Sequence, residues 1–158
     1  MNLIRFAKAT TIAAALVSAS QIHAAPLSYG TYYDETVPLS ECLSGAGTSC
    51  QINFSQTPTN KLVLVTTVSC HMTSSKQPYE AILTISPTYG GGSLGRAQYF
   101  DFNPPLASAI GFYAGSFTKS TQLLVGPGRY PFVSFSFNGN QSNGSASCTL
   151  VGQLIDPL

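Results

Sequence analysis

The chain has 158 residues and few charges, because seven Lys and Arg stand against six Asp and Glu, with a formal net charge of +1 at pH 7. This length suits one domain with its own core, and the scattered charges form no basic stripe, which argues against nucleic acid or an anionic membrane as a partner. The composition also argues against disorder, since 44% of the residues are hydrophobic and 11% are aromatic,.

The first 24 residues are typical of a secretory signal peptide. Arg5 and Lys8 supply positive charge, an apolar run follows at 9–19, and Ala24 is a small residue before the expected cleavage point,. This run is shorter than the roughly 20 residues that a membrane-spanning helix needs. We therefore predict a signal peptide at 1–24 and a single exported domain at 25–158, secreted or periplasmic after signal removal.

Strand patterns recur along the exported part, separated by clusters of Gly, Pro, Asn and Ser. The run at 129–137, for example, places Val133, Phe135 and Phe137 on one face, as a strand with one buried side requires,. Strands are predicted at 50–54, 61–71, 80–86, 98–102, 110–117, 122–125, 129–137 and 145–155. About eight short strands of this kind predict an all-β, two-sheet antiparallel sandwich, either jelly-roll or immunoglobulin-like.

All four cysteines lie in the exported part: Cys42, Cys50, Cys70 and Cys148. An even number in an oxidising compartment predicts two disulfides, for which three connectivities exist. We favour Cys42–Cys50, which closes a short segment, and Cys70–Cys148, whose partners both lie on inward faces of predicted strands. A zinc site is disfavoured because no CxxC spacing occurs and His71 is the single histidine after the signal,. We expect no metal and no cofactor.

Three segments carry a resemblance to known proteins. They are the apolar strand at 61–68 (KLVLVTTV), the glycine-centred turn into an aromatic strand at 124–133 (LVGPGRYPFV) and the closing strand at 148–156 (CTLVGQLID). Together they resemble a group of small exported bacterial β-sandwich proteins of uncharacterised function, over about residues 50–156. The resemblance implies a two-sheet fold and an exported bacterial protein, and it transfers no activity and no site residue.

The residues that could carry catalysis are scattered. His71 follows Cys70 directly, so in a strand the two side chains point to opposite faces and do not form a thiolate–imidazole pair. Glu80 and Asp101 lie on separate predicted strands, and they are the best candidates for a carboxylate pair of the kind that cleaves glycosides. Asp34 and Glu35 are adjacent near the start of the domain, and we expect both to be exposed.

The most distinctive loop is the glycine-rich segment at 89–96. It resembles an anion-binding loop in composition, but a strand rather than a helix follows it, so we expect a flexible hairpin tip. If a surface binds a ligand, the predicted ligand-binding residues are Tyr89, Arg96 and Tyr99, since aromatic rings stack on sugars and peptides. The absence of tryptophan weakens the case for a carbohydrate.

These patterns support three functional hypotheses. The leading one is an exported, non-catalytic binding or cell-surface module with an unknown protein or glycan ligand. The second is a self-assembling structural or adhesive, fimbria-like subunit, motivated by low charge and an extended N-terminal arm at 27–33 that suits strand addition. The third and weakest is a small secreted hydrolase that uses Glu80 and Asp101.

Overall fold

The computed structural model describes residues 25–41, 49–102, 106–107, 111–139 and 143–157. The predicted signal peptide and Cys42 lie outside the described residues. Within them the chain forms ten strands: β1 (Leu27–Tyr29), β2 (Tyr32–Glu41), β3 (Ser49–Asn53), β4 (Leu62–Ser74), β5 (Pro78–Ser86), β6 (Ala97–Asp101), β7 (Leu106–Ala107), β8 (Tyr113–Val125), β9 (Tyr130–Phe137) and β10 (Gly144–Ile155). A search of the same residues finds no helix with the length and apolar character to cross a membrane.

The ten strands form two antiparallel sheets that pack face to face, so the predicted sandwich is confirmed. The larger sheet has the order β1-β2-β10-β4-β8-β7 and the smaller sheet has the order β3-β9-β5-β6. Without the short strands β1 and β7, eight strands remain, and their pairing is nested from the outside inward. The strand β2 pairs with β10, β3 with β9, β4 with β8, and β5 with β6. This is the jelly-roll arrangement rather than the immunoglobulin one.

The core lies between the two sheets, and each of the eight longer strands contributes alternate residues to it because successive side chains point to opposite faces,. In the larger sheet, β4 and β10 provide Val65, Met72 and Leu150, which are completely buried. In the smaller sheet, Leu83 and Phe135 face them and are equally buried. Each such side chain contributes roughly 1.5–3 kcal/mol on transfer from water, and this burial holds the sheets together.

The predicted Cys70–Cys148 disulfide is present. The two cysteines are direct partners on the adjacent strands β4 and β10, with their Cα atoms 4.2 Å apart, and both side chains are buried on the inward face. The bridge therefore joins two strands of one sheet rather than one sheet to the other. Cys50 is also disulfide-bonded. Its predicted pairing with Cys42 stays a prediction, because Cys42 lies outside the described residues.

The expectation that Glu35 is exposed is wrong. Glu35 lies on the inward side of β2 with only 2% of its surface exposed. Its carboxylate accepts hydrogen bonds from the Tyr33 hydroxyl at 2.7 Å and from the Ser55 backbone N–H at 2.6 Å. These donors replace water around the carboxylate, and this is what makes the buried position tolerable.

The extended N-terminal arm predicted at 27–33 is part of the larger sheet. Its first residues form β1, which turns at Gly30 and pairs with the beginning of β2. Gly30 has a φ of 61°, a backbone conformation that glycine adopts without steric cost,. The segment thus extends its own sheet by one short edge strand.

Candidate binding surface

The open part of the smaller sheet's outer face carries two rows of side chains. One row runs across the four strands through Tyr99, Ile82, Ser134 and Gln51, and the next runs through Asp101, Glu80, Ser136 and Ser49. We call these eight residues the small-sheet face. Cross-strand partners in such rows have Cβ atoms about 4.5–5.5 Å apart, so each row forms a continuous surface.

Tyr99 is the most exposed aromatic side chain of the small-sheet face. It lies on the edge strand β6 with 67% of its surface exposed, and its direct cross-strand partner Ile82 is half-buried beside it. A tyrosine ring presents a large apolar surface and one hydroxyl group. Tyr99 therefore provides an apolar platform that a flat, partly hydroxylated molecule can cover.

Hydrogen-bonding groups lie next to this platform. Asp101 and Glu80 are direct partners on β6 and β5, one exposed and the other half-buried. The two candidates for a carboxylate pair are thus cross-strand neighbours. When ionised they are acceptors only, so the pair suits a ligand rich in hydroxyl donors.

An amide pair lies at the far end of the Tyr99 row. Gln51 donates from Nε2 to Asn53 Oδ1 at 2.7 Å, with a second and longer bond to the Gly91 carbonyl at 3.4 Å. Gln51 is exposed, so its side-chain oxygen remains accessible to an incoming donor,. The face thus combines one aromatic platform with acceptors on two sides.

The loop at 87–96 connects β5 to β6, but it is bonded back onto the sheet instead of projecting as a free tip. Leu94 donates its backbone N–H to the Ile85 carbonyl at 2.8 Å. The Thr84 hydroxyl lies 2.6 Å from both the Ser93 hydroxyl and the Arg96 carbonyl. Phe132 is the cross-strand partner of Thr84 and belongs to the outer face by register, yet it is only 5% exposed. The loop therefore covers this end of the sheet.

The three predicted ligand-binding residues do not form one site. Tyr89 lies at the covered end, where its ring meets the Tyr130 ring edge-on with centroids 6.1 Å apart. On β5, Ser86 is the partner of Tyr130 and Ile82 is the partner of Tyr99. These two positions are four residues apart along the strand, so the Tyr130 row and the Tyr99 row are about 13 Å apart. Tyr99 lies on the open face, whereas Arg96 lines a cavity beside it.

That cavity lies between β6 and β8, where the edges of the two sheets meet. Its volume is about 490 Å³, and it is lined by 95–98 from one side and 122–124 from the other. Clefts of about 300–1,000 Å³ are the usual size for small ligands. The cavity is therefore a second candidate site, distinct from the small-sheet face.

The groups considered for catalysis lie on opposite sides of the sandwich. His71 is exposed on the outer face of the larger sheet, and Cys70 points inward into its disulfide. Glu80 and Asp101 lie on the outer face of the smaller sheet. Among the described residues, no group of three or more His, Cys, Asp and Glu side chains is arranged to hold a metal ion.

Sequence comparison adds no further assignment. No model of a known protein family matches the chain. No curated protein sequence matches it at a significant level either.

Proposed function

We propose that this chain is an exported, non-catalytic binding module and that its small-sheet face binds a glycan. The observation that supports this most directly is the exposed Tyr99 ring, which lies next to the carboxylates of Asp101 and Glu80. The apolar side of a sugar ring matches the aromatic platform, and its hydroxyl groups match the acceptors around it. Binding without cleavage suits an open face, since no element within the described residues encloses the two carboxylates.

The shape of the face determines the expected affinity. It is an open surface rather than a closed pocket, so a single sugar unit leaves much of its surface in water. Weak binding, with a Kd of about 0.1–1 mM per unit, is the expected result, which corresponds to roughly 4–5.5 kcal/mol. A longer glycan that covers both rows gains affinity from the additional contacts.

A glycan array followed by titration calorimetry on the best ligand tests the proposal. Tyr99→Ala should weaken binding at least tenfold, because it removes the aromatic platform without disturbing the core. Tyr29→Ala is the matched control, since Tyr29 is 88% exposed on the edge of the larger sheet. The proposal fails if the array gives no ligand, or if both variants lower the affinity equally.

The export part of the proposal has its own measurement. Mass spectrometry of protein recovered from outside the cytosol should show a chain that begins at Ala25 and has no free thiols. Recovery of the intact chain from the cytosol, with its signal sequence attached, contradicts export.

A further inference from the structure

The two sheets meet at one side of the sandwich along β6 and β8, and we call this region the seam. At one end of the seam, aromatic side chains close the gap between the sheets. The Phe100 and Phe117 rings stack with centroids 5.6 Å apart, and Phe102 meets Phe117 edge-on at 5.2 Å. The core is therefore continuous across this end.

At the other end the seam opens, and three residues at inward positions are polar. Gln98 pairs with the buried Leu83, and Lys119 pairs with the buried Val68, so both stand at inward register positions. Both are nevertheless exposed. Thr121, the next inward position on β8, has a buried hydroxyl oxygen without a hydrogen-bond partner. The cavity of about 490 Å³ lies at this open end.

In the part of the chain that the structure describes, both strands that border the seam present an open edge there. Among the described residues, β6 pairs only with β5, and β7 covers β8 only at Tyr113 and Ala114. Along 115–125 the second edge of β8 thus has no strand partner in the described part of the chain. A strand edge of this kind is a template for pairing with another extended chain.

The charge at the open end is positive. Arg96 lines the cavity, Lys119 stands on β8, and both are exposed. The one ion pair found in the described residues joins Lys61 to Asp156 elsewhere on the molecule. Both cations at the seam are therefore available to an anionic ligand.

We propose that the seam binds an extended acidic peptide, which adds as a strand to the open edge of β8 with its carboxylates near Arg96 and Lys119. The unpaired edge favours a peptide over an acidic glycan, because only another backbone repeats the donors and acceptors at strand spacing. The edge of β8 is favoured over that of β6 because it is longer. This site is separate from the small-sheet face and does not depend on glycan binding.

Fluorescence anisotropy with a set of labelled heptapeptides tests the proposal. Each peptide alternates Val or Thr with Asp, Ser or Lys. Peptides with Asp should bind at least tenfold more tightly than those with Lys, and Arg96→Glu and Lys119→Glu should each weaken this binding at least tenfold. Lys76→Glu is the matched control, because it makes the same charge change at an exposed position between β4 and β5 and should leave binding unchanged.

A chemical change in the peptide tests strand addition without altering the protein. Methylation of alternate backbone nitrogens removes the donors that pair with an edge but keeps every carboxylate, so it should abolish binding. Tyr99→Ala should leave peptide binding intact, which separates this site from the glycan proposal.

Several results would overturn the proposal. They are equal binding of the Asp and Lys peptides, undiminished binding of the N-methylated peptide, and preferential binding of an acidic oligosaccharide such as oligogalacturonate. A further contrary result is a concentration-dependent dimer in sedimentation that Lys119→Glu dissociates, since it would assign the edge to a second copy of the chain.

Discussion

Tyr33, Glu35 and Ser55 form a buried polar group that links the two sheets. Tyr33 and Glu35 lie on β2 of the larger sheet, whereas Ser55 follows β3 of the smaller sheet. The Glu35 carboxylate accepts one hydrogen bond from each of the other two residues, and Tyr33 itself is 1% exposed. Hydrogen bonds to a charged group are stronger than neutral ones, so this group fixes how the start of the domain lies against the smaller sheet.

Removal of the Tyr33 hydroxyl should destabilise the fold. In Tyr33→Phe the ring stays in place, but Glu35 Oε2 loses its buried donor, and the expected loss is about 1–3 kcal/mol in the free energy of unfolding. Tyr99→Phe removes the same hydroxyl from an exposed position and should change stability by less than about 0.5 kcal/mol. Urea denaturation measures both, and equal values for the two variants would contradict the role of the buried group.

The same hydroxyl should make stability depend on alkaline pH. Burial raises the pKa of Tyr33 well above its ordinary value of 10.0, and the negative charge of Glu35, the hydrogen bond to it and the charge of Asp34 raise it further. The folded chain therefore keeps the phenol proton above pH 10, where the unfolded chain releases it. The stability that Tyr33 contributes is fully present below pH 10 and decreases as the pH rises above it.

The pH dependence of the free energy of unfolding that is due to Tyr33 is measurable by comparison with Tyr33→Phe. Above pH 10, the difference in unfolding free energy between the wild type and this variant should shrink by about 1.4 kcal/mol per pH unit, as expected for one proton. Urea denaturation at pH 8, 9, 10 and 11 provides the values. A difference that stays constant across this range would show that Tyr33 does not titrate differently in the two states.

Among the strands, β2 and β8 show where sequence patterns fail. The predicted strands at 110–117 and 122–125 are mainly one strand, β8, which continues through the polar run between them. In the sequence, that run resembles a loop between two strands because Lys119 and Thr121 occupy inward positions that are normally apolar. These two positions are polar because they lie where the seam opens. Similarly, the sequence patterns miss β2 because Glu35 stands at one of its inward positions. The hydrogen-bond donors that make this buried carboxylate tolerable are not evident from the local sequence.

One glycine is essential to the pairing of the central strands. Gly152 on β10 lies where its register with β4 shifts, and a Cβ atom there would fall on the backbone carbonyl oxygen of Leu64. Gly152→Ala should cost about 1–3 kcal/mol because the backbone of β4 has to move. Gly92→Ala is the control, since a Cβ atom at Gly92 meets nothing within 4 Å. Thermal unfolding distinguishes them, and a Gly152→Ala protein as stable as the control would contradict the close approach.

For the whole molecule, the alternation of apolar and polar residues predicts the two-sheet sandwich. The choice between jelly-roll and immunoglobulin topology depends on which strands pair. Patterns such as Val133, Phe135 and Phe137 identify an inward face, and they also placed Cys70 and Cys148 correctly. They do not reveal which strands become neighbours, so the jelly-roll and immunoglobulin arrangements stayed open until the pairing was known. Tyr99 is predicted as a ligand-binding residue because it is aromatic. Gln51 and Ile82 lie in the same row only because of the cross-strand register, which the sequence does not reveal.

Loss of the Cys70–Cys148 disulfide should lower global stability. The cysteines are 78 residues apart in sequence, and closure of a loop of this length contributes about 4 kcal/mol in the chain-entropy model. The double variant Cys70→Ala and Cys148→Ala should unfold at a lower urea concentration by an amount approaching this value, with a steeper dependence on denaturant because its unfolded chain is more open. An unchanged midpoint would contradict the contribution of the bridge.

The position of this bridge also determines how the molecule responds to a mechanical load on its two ends. Leu154 near the carboxyl end donates its backbone N–H to the Thr31 carbonyl beside β2 at 2.7 Å, so the two ends of the fold lie side by side. Tension applied there peels β10 away from β2 and β4 one residue at a time. The peeling stops at Cys148, because the covalent link to Cys70 carries the tension. The strands between the two cysteines are thereby shielded from the tension.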